Sequence, residues 1–257
     1  HDHVSAAKKA AFIHVDYVQA GYTRRLDKDC YVDFDRIFAV SDETAGVFAG
    51  VYPECQQKLS VFHNLIDTEA IRQKALSPVE KSMHEGIRLL TVGRLTPQKG
   101  FDCAVYALKL LLEKQYPVYW YIIGEGPEYG RLTQLARSLH VEDHFIFLGM
   151  QTNPYPYFKM ADFYIHATRF EGKSIAIQEA QVLGCAIAAS DCSGNREQIV
   201  SGVDGLLCPF SPEGIANAVE YLIKHPQTAE SFGRAVAQKA CHFENDIHMI
   251  RDLLYSP

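Results

Sequence analysis

The sequence predicts an α/β protein: a doubly wound parallel sheet with helices on both faces, joined to a partial second α/β domain. Three observations carry that expectation. From residue 88 onward, short β-branched or aromatic runs alternate with apolar stripes at helical spacing. Several of those runs are apolar throughout, as strands covered on both faces must be. Finally, 257 residues with 47% hydrophobic and 22% charged side chains suffice for one large domain, or one domain and part of another. That balance excludes a disordered or collagen-like chain.

Taken in order, residues 10–15 and 36–41 read as strands, a helix follows over 43–51, and 60–63 form one more short strand. Three strands and one helix are too few to close a doubly wound domain. Residues 1–72 are therefore expected to be the back half of a first α/β domain whose front half is absent. The chain opens on His rather than Met, as if it began inside a longer protein. The polar stretch 73–85, with Pro78, reads as a linker. Strands are then expected at 88–93, 118–124, 144–149, 162–166, 186–190 and 205–208. Helices fit at 101–115, 128–139, 174–184 and 195–201, and another begins at Ser211-Pro212, a cap followed by the proline favoured at the first helical position. Residues 86–240 make one domain, and 241–257 a C-terminal helix. Ligands of such a sheet bind at the carboxyl ends of its strands.

Charge and cysteine usage narrow the function classes. Acidic side chains number 31 and basic ones 25, a net charge of −6, without the basic excess that a nucleic-acid partner requires. No apolar run approaches the ~20 residues of a membrane-spanning helix, and no secretory signal opens the chain. The seven cysteines (Cys30, Cys55, Cys103, Cys185, Cys192, Cys208 and Cys241) are scattered without a Cys-x-x-Cys pair. Zinc knuckles, redox pairs and a disulfide framework are thus not expected, and a reducing cytoplasm fits.

Three loops at strand ends could hold a ligand. In residues 93–100, Gly93-Arg-Leu-Thr-Pro-Gln-Lys-Gly100, Gln98 precedes Lys99 and Gly100 follows it, so this is not a Walker loop. Arg94 and Lys99 nonetheless sit where a strand gives way to a helix and could form charge-assisted bonds to a diphosphate. The same two cations would also be ordinary solvated residues beside a turn. The second loop, Gly124-Glu-Gly126-Pro127-Glu-Tyr-Gly130, follows a strand and opens a helix. Its third glycine comes one residue late for a dinucleotide fingerprint, and the next strand lacks the acid that would hold an adenosine ribose. It is either a tight turn that lets a ligand approach the backbone or a plain turn.

In the third loop, Arg169-Phe-Glu171-Gly172-Lys173-Ser174-Ile175, free amides at the start of a helix offer an anion site. Glu179 lies more than a turn further in, within an apolar run, and needs polar partners there. The two hydroxyls of a ribose would supply them, while Gln178 and Gln181 leave a solvated helix face as the other reading. Paired carboxylates also serve glycoside hydrolysis, but these two frame an anion site, which suits a phosphate leaving group better.

In this order, Gly93-Arg94-Leu95 with Lys99-Gly100, Gly124-Glu-Gly126-Pro127, and Glu171-Gly172 with Glu179-Ala180 resemble the family 4 (group 1) retaining glycosyltransferases of the GT-B fold. Asp162 before a strand leading to Thr168, Ser193-Gly-Asn-Arg-Glu197 and Gly202-Val-Asp-Gly-Leu206 agree with the same pattern. So do Phe12-Ile-His14, Asp35-Arg-Ile-Phe-Ala-Val-Ser41 and Asn64-Leu-Ile-Asp67 in the early segment. Ile13-His-Val-Asp16-Tyr17 is similar to members that build bacterial surface polysaccharides. Many members carry Pro where this chain has Ser174, and the family's glycine-rich loop near the amino terminus has no counterpart here.

The resemblance implies a Rossmann-like donor-binding domain over residues 86–240 and an acceptor-side remnant over 1–72. It implies transfer of a sugar from a UDP- or GDP-linked donor to a glycan or lipid-linked acceptor, with retained configuration, no obligatory metal and no cofactor, since the nucleotide sugar is a substrate. By motif match Arg94 and Lys99 neutralise the leaving diphosphate, with Gly93 beside them. Glu171 and the amides of Gly172, Lys173, Ser174 and Ile175 hold sugar and phosphates. Glu179 holds the ribose hydroxyls. Gly124, Gly126, Pro127, Met150 and Gln151 line the base pocket, and His14 reaches towards the sugar. Lacking its front half, the chain is expected to bind nucleotide yet turn over poorly or not at all, and to dimerise through the exposed strand edge. Docking at the inner membrane face would belong to the missing part. A nucleotide-sugar epimerase, a phosphorylase on the same architecture and a non-catalytic sugar-nucleotide module are the competing readings. No motif marks the Schiff-base lysine of a pyridoxal phosphorylase.

Overall fold

The structure, a computed structural model, describes residues 6–79, 81–239 and 244–255. The described residues of His1–Leu65, Phe170–Lys173 and Ala240–Pro257 make one compact unit, and those of Ile66–Arg169 and Ser174–Lys239 a second.

The first unit holds β1 (Ala10–Ile13), α1 (Arg24–Asp27), β2 (Arg36–Ala39), α2 (Asp42–Val51) and β3 (Leu59–Val61). The strands form a parallel sheet in the order β1-β2-β3. Ile13, Ile37 and Ala39 face a core completed by Tyr17, Phe48, Tyr52 and Cys55. Helix α2 starts at Ser41, whose Oγ accepts from the Thr44 N–H at 3.2 Å, with Asp42 and Glu43 in the first turn to complement the helix dipole. Strand β1 is two residues shorter than the sequence suggests. Beyond it the Asp16 carboxylate accepts from the backbone of Val18 and Gln19 at 3.0 and 2.9 Å, which turns the chain.

The second unit runs α3 (Thr68–Lys74), β4 (Ile87–Val92), α4 (Phe101–Glu113), β5 (Val118–Ile123), α5 (Tyr129–Ser138), β6 (Phe145–Gly149), α6 (Tyr155–Met160), β7 (Phe163–His166), α7 (Ile175–Val182), β8 (Ala186–Ser190), α8 (Ser193–Arg196), β9 (Leu206–Cys208), α9 (Pro212–Lys224) and α10 (Pro226–Ala237). Helix α11 (Glu244–Tyr255) groups with the first unit, where Asp246 Oδ1 accepts from the His63 N–H at 3.0 Å. The six strands are all parallel, in the order β6-β5-β4-β7-β8-β9. Each face is buried. Trp120 and Ile122 of β5 join Leu89, Val105, Leu108 and Val219 on one side, while Tyr121 and Ile123 join Leu90, Tyr164, Ile177 and Ile187 on the other. That two-sided burial is why these strands read as unbroken apolar runs. The buried indole of Trp120 donates from Nε1 to Thr91 Oγ1 at 2.9 Å, and that hydroxyl donates on to Ile165 O at 2.7 Å, so the polar atom of the largest core side chain is satisfied.

The doubly wound sheet is the fold class the sequence predicts, with three local corrections. Helix α3, capped by Asp67 Oδ1 on the Ala70 N–H at 2.9 Å, runs through Lys74 and so into the first two residues of the expected linker. The helix expected at 195–201 is the short α8. It stops because the Asp204 carboxylate accepts from the Val200 N–H at 2.8 Å and Ser201 pairs with Gly205 in a bridge. Helices α1, α3, α6 and α10 have no counterpart among the expected elements. No disulfide links the six described cysteines, and Cys241 lies outside the described residues. No helix of the described residues is long and apolar enough to cross a membrane.

Candidate functional site

The sheet order fixes where a ligand can enter the second unit. From β4 the chain winds outward through β5 to β6, then returns to place β7 on the other side of β4. The loops leaving β4 and β7 therefore meet at the switch point, where open sheets of this kind bind their ligands.

The loop after β4 is built from backbone contacts. Gly93 N–H donates to Ile123 O at 2.9 Å, Leu95 N–H to Glu125 O at 2.9 Å, and Glu128 N–H to Leu95 O at 3.1 Å. Gly124 has φ +140°, and a methyl group on it would lie 2.0 Å from Gly93 O. One on Gly126 would lie 2.3 Å from Leu95 O. These two glycines, which the sequence reads either as a tight turn for close ligand approach or as a plain turn, are required by the close approach of two protein loops. Lys99 lies along Gly93, where a methyl group would meet its Cδ at 3.7 Å. Arg94 is exposed at the same turn, and Lys99 is half-buried.

The far side of that loop is pinned to the end of β7. Arg169 N–H and Thr168 Oγ1 donate to Gln98 O at 2.9 and 3.1 Å. The Arg169 guanidinium grips Asp102 of α4 at 3.1 and 2.8 Å, donates to Pro97 O and lies 5.0 Å from the Phe210 ring centroid. Gly100, at φ +62°, sits where a side chain would strike Ala167 O at 2.6 Å. Behind it the Ser190 hydroxyl accepts from Thr168 N–H at 2.9 Å and donates to Thr168 O at 2.6 Å, while Asn195 Nδ2 donates to Ser190 O at 2.8 Å. Two cation-bearing residues thus stand on a turn whose backbone has little freedom to move.

Next to this turn, at the carboxyl ends of β5 and β6, lies a cavity of about 550 Å³ lined by Lys81, Gly124, Gly126, Tyr129, Leu148 and Gly149 among others. Pro127 is exposed beside it. Met150 is 71% exposed, and Gln151 folds back to donate from Nε2 to Leu148 O at 2.8 Å. A second cavity of about 490 Å³ opens at the amino ends of β4, β7 and β8, between Ile87, Asp162, Gly184 and Arg234. It lies at the opposite end of the strands from the predicted residues of the loops after β4, β5 and β6.

Helix α7 starts at Ser174, whose Oγ accepts from the Ile177 N–H at 3.4 Å. Where many family members carry proline, this chain supplies a capping hydroxyl, so one of the free amides expected there is already engaged. Ile175 at the helix start is 49% exposed. Glu179 is mostly buried and accepts from the Tyr155 hydroxyl at 3.0 Å. Burial pushes its carboxyl above the usual range, and the Tyr155 hydrogen bond pulls it back down. Tyr155 is itself pushed up to about 12, by burial first and then by the charge of Glu179. The carboxylate that lacked a partner in the sequence has one protein donor.

The segment Phe170–Lys173 groups with the first unit. There Gly172 packs so closely on His14 that a methyl group would sit 2.3 Å from His14 O, and Asn64 Nδ2 donates to Lys173 O at 3.2 Å. Glu171 is buried, while His14 is exposed and stacked on Phe12 with ring centroids 6.1 Å apart. Glu171, Gly172 and His14, far apart in sequence, are therefore members of one unit.

A family model described as glycosyl transferases group 1 matches residues 72–239, well over half of the chain. The chain belongs to the group 1 glycosyl transferases. It is similar to an uncharacterised glycosyltransferase of Methanocaldococcus jannaschii, 25% identical over 68% of this chain and 42% of that protein. It is also similar to the N-acetylgalactosamine-N,N'-diacetylbacillosaminyl-diphospho-undecaprenol 4-alpha-N-acetylgalactosaminyltransferase of Campylobacter jejuni, 28% identical over 77% of this chain and 53% of that one. The chain thus spans about half the length of the relatives it matches. Among solved structures, Anabaena HepE in complex with UDP-glucose superposes with a TM-score of 0.82 over 97% of this chain and 72% of that one, at 18% identity. Staphylococcus aureus TarM in complex with UDP gives 0.80 over 97% and 51%, at 16% identity. Likeness at these identities establishes the fold, which is the Rossmann-like α/β architecture of GT-B glycosyltransferases.

Group 1 motifs pick out the loop residues but miss their supports. The Arg169–Asp102 pair, the Thr168–Ser190–Asn195 relay and Tyr155 all join residues distant in sequence, and no spacing rule in a single sequence links them.

Proposed function

We propose that the second unit binds the nucleotide-diphosphate sugar of a retaining, family 4 glycosyltransferase, residues 86–240 being its donor domain and 1–72 part of its acceptor-side domain. The whole protein passes the sugar to a glycan or lipid-linked acceptor in polysaccharide synthesis. The observation that carries this reading is the rigid Gly93–Gly100 turn, bearing Arg94 and Lys99, at the switch point of a sheet whose chain belongs to this family.

The chemistry follows from charge. As the bond between the sugar and its diphosphate breaks, negative charge grows on the bridging oxygen, and fixed cations there lower the barrier without having to reorganise. Arg94 and Lys99 supply that charge, and the amides of Ser174 and Ile175 at the start of α7 hold phosphate oxygens. Glu179 accepts from the ribose, and the cavity beside Gly124, Gly126 and Gly149 receives the base next to Met150. The names of relatives that act on a diphospho-undecaprenol-linked substrate, in amylovoran biosynthesis and in lipopolysaccharide core biosynthesis support a glycan or lipid-linked acceptor.

Calorimetric titration of this chain with UDP and with GDP tests the reading. Saturable one-site binding of at least one of them is expected. Heat-silent titrations of both, together with no change in thermal midpoint, would overturn it.

A further inference from the structure

The ribose-binding role of Glu179 leaves open what orients its carboxylate. Glu179 projects from the second turn of α7, and its Oε1 accepts from the Tyr155 hydroxyl at 3.0 Å. Tyr155 opens α6 and is itself located from two directions. Its N–H donates to Asn153 Oδ1 at 3.4 Å, and Asn153 Nδ2 donates to Lys74 O, the last residue of α3, at 2.9 Å. Its ring lies at the edge of the core, 6.5 Å from that of Phe158. Helix α3 packs on both α6 and α7, so one element braces both members of the pair.

We propose that Tyr155 is a positioning residue for nucleotide binding: by donating to Oε1 it fixes the plane of the Glu179 carboxylate and presents Oε2 as the open acceptor for a ribose hydroxyl. The inference rests on the reading of Glu179 as the ribose-binding acid and adds to it the group that aims that acid. A glutamate side chain has three rotatable bonds, and a carboxylate free to turn loses entropy when it grips a diol. One held by a phenol has been oriented in advance. The hydroxyl also favours the charged carboxylate, which is the better acceptor. The elements packed around this pair carry other charges, namely Glu69, Arg72 and Lys74 of α3, Lys159 of α6, and Glu230 and Arg234 of α10. None of these acts on Glu179, whose protonation is set by burial and Tyr155.

The test is Tyr155→Phe in the full chain, which keeps the ring in the core and removes only the donor. Three ligands are titrated: UDP or GDP (whichever the unaltered chain binds more tightly), the 2′,3′-dideoxy form of the same nucleotide, and inorganic pyrophosphate. The expected result is a loss of roughly 3- to 10-fold in affinity for the ribonucleotide, the worth of one hydrogen bond, with the other two ligands unchanged. The acid limb of ribonucleotide affinity also moves to higher pH, because the variant has lost the bond that holds Glu179 charged. Equal losses for all three ligands would mean that Tyr155 merely supports the fold, and unchanged ribonucleotide affinity would mean that it does nothing for binding. Either result overturns the inference. Glu179→Gln in parallel separates the two layers. If it costs no ribonucleotide affinity, or if the unaltered chain binds ribo- and dideoxynucleotide equally, the ribose role of Glu179 fails and the inference falls with it.

Discussion

Gly124→Ala should be among the most damaging single-methyl changes in the second unit. Gly124 sits at φ +140°, a region that residues with a side chain rarely enter at a cost of ~1–3 kcal/mol. Its added methyl would lie 2.0 Å from Gly93 O and 2.9 Å from Gly93 C, so the obstacle is backbone and no rotamer change relieves it. Relief requires the ends of β4 and β5 to part. That strains the bonds from Gly93 N–H to Ile123 O and from Gly124 N–H to Gly149 O, both 2.9 Å, worth ~1 kcal/mol each. With an overpacking cost of ~1–3 kcal/mol, the loss comes to about 4 kcal/mol or more, a large share of a typical domain's ~5–15 kcal/mol. In urea, with a slope of ~2–3 kcal/mol per molar, the midpoint should fall by about 1.5 M. Gly130→Ala is the control. Gly130 has open space within 4 Å and stands in the first turn of α5, so the same methyl should be neutral or stabilise by up to ~1 kcal/mol. Matching midpoints for the Gly124 and Gly130 variants would refute the claim that the two loops are locked backbone to backbone.

Three further outcomes are expected. Lys99→Ala and Glu179→Ala should each weaken UDP or GDP binding by about 10-fold at unchanged thermal midpoint; calorimetry showing unaltered affinity in both would remove them from the nucleotide site. Thr91→Val leaves the buried Trp120 N–H without its acceptor and should cost ~1–3 kcal/mol by urea denaturation, and a neutral result would contradict the relay to Ile165 O. Hydrogen bonds from Lys114 and then Lys224 hold the Glu220 carboxyl down to about 2, below its ordinary 4.5. Its contribution to stability is thus complete above pH 4.5 and fades as the pH falls towards 2. Glu220→Gln should accordingly lower the thermal midpoint near pH 6 but not near pH 2, and an equal effect at both would contradict the pairing.

The strands of the second unit were legible because burial on both faces leaves a chain no polar positions to alternate. The strand-to-helix loops were legible because glycine, proline and capping residues announce them. What each glycine was for could not be read. The spacing of Gly124 and Gly126 fits a turn that a ligand approaches and a plain turn alike, and in space both pack on Gly93 and Leu95 of the neighbouring loop. Pairing across the chain was likewise out of reach. Tyr155 stands 24 residues before Glu179 on another helix, and Asp102 stands 67 before Arg169. Each pair is brought together by the order of the strands, which local periodicity does not encode. Helix α8 came out short for a similar reason, because Asp204 reaches back to Val200 and ends the turn.

The most direct measurement is a crystal structure of this chain with its nucleoside diphosphate bound. The diphosphate should lie on the turn that carries Arg94 and Lys99, with Oε2 of Glu179 on the ribose and the base in the cavity beside Gly124 and Gly149. Nucleotide bound instead at the amino ends of the strands, between Asp162 and Arg234, would contradict the account.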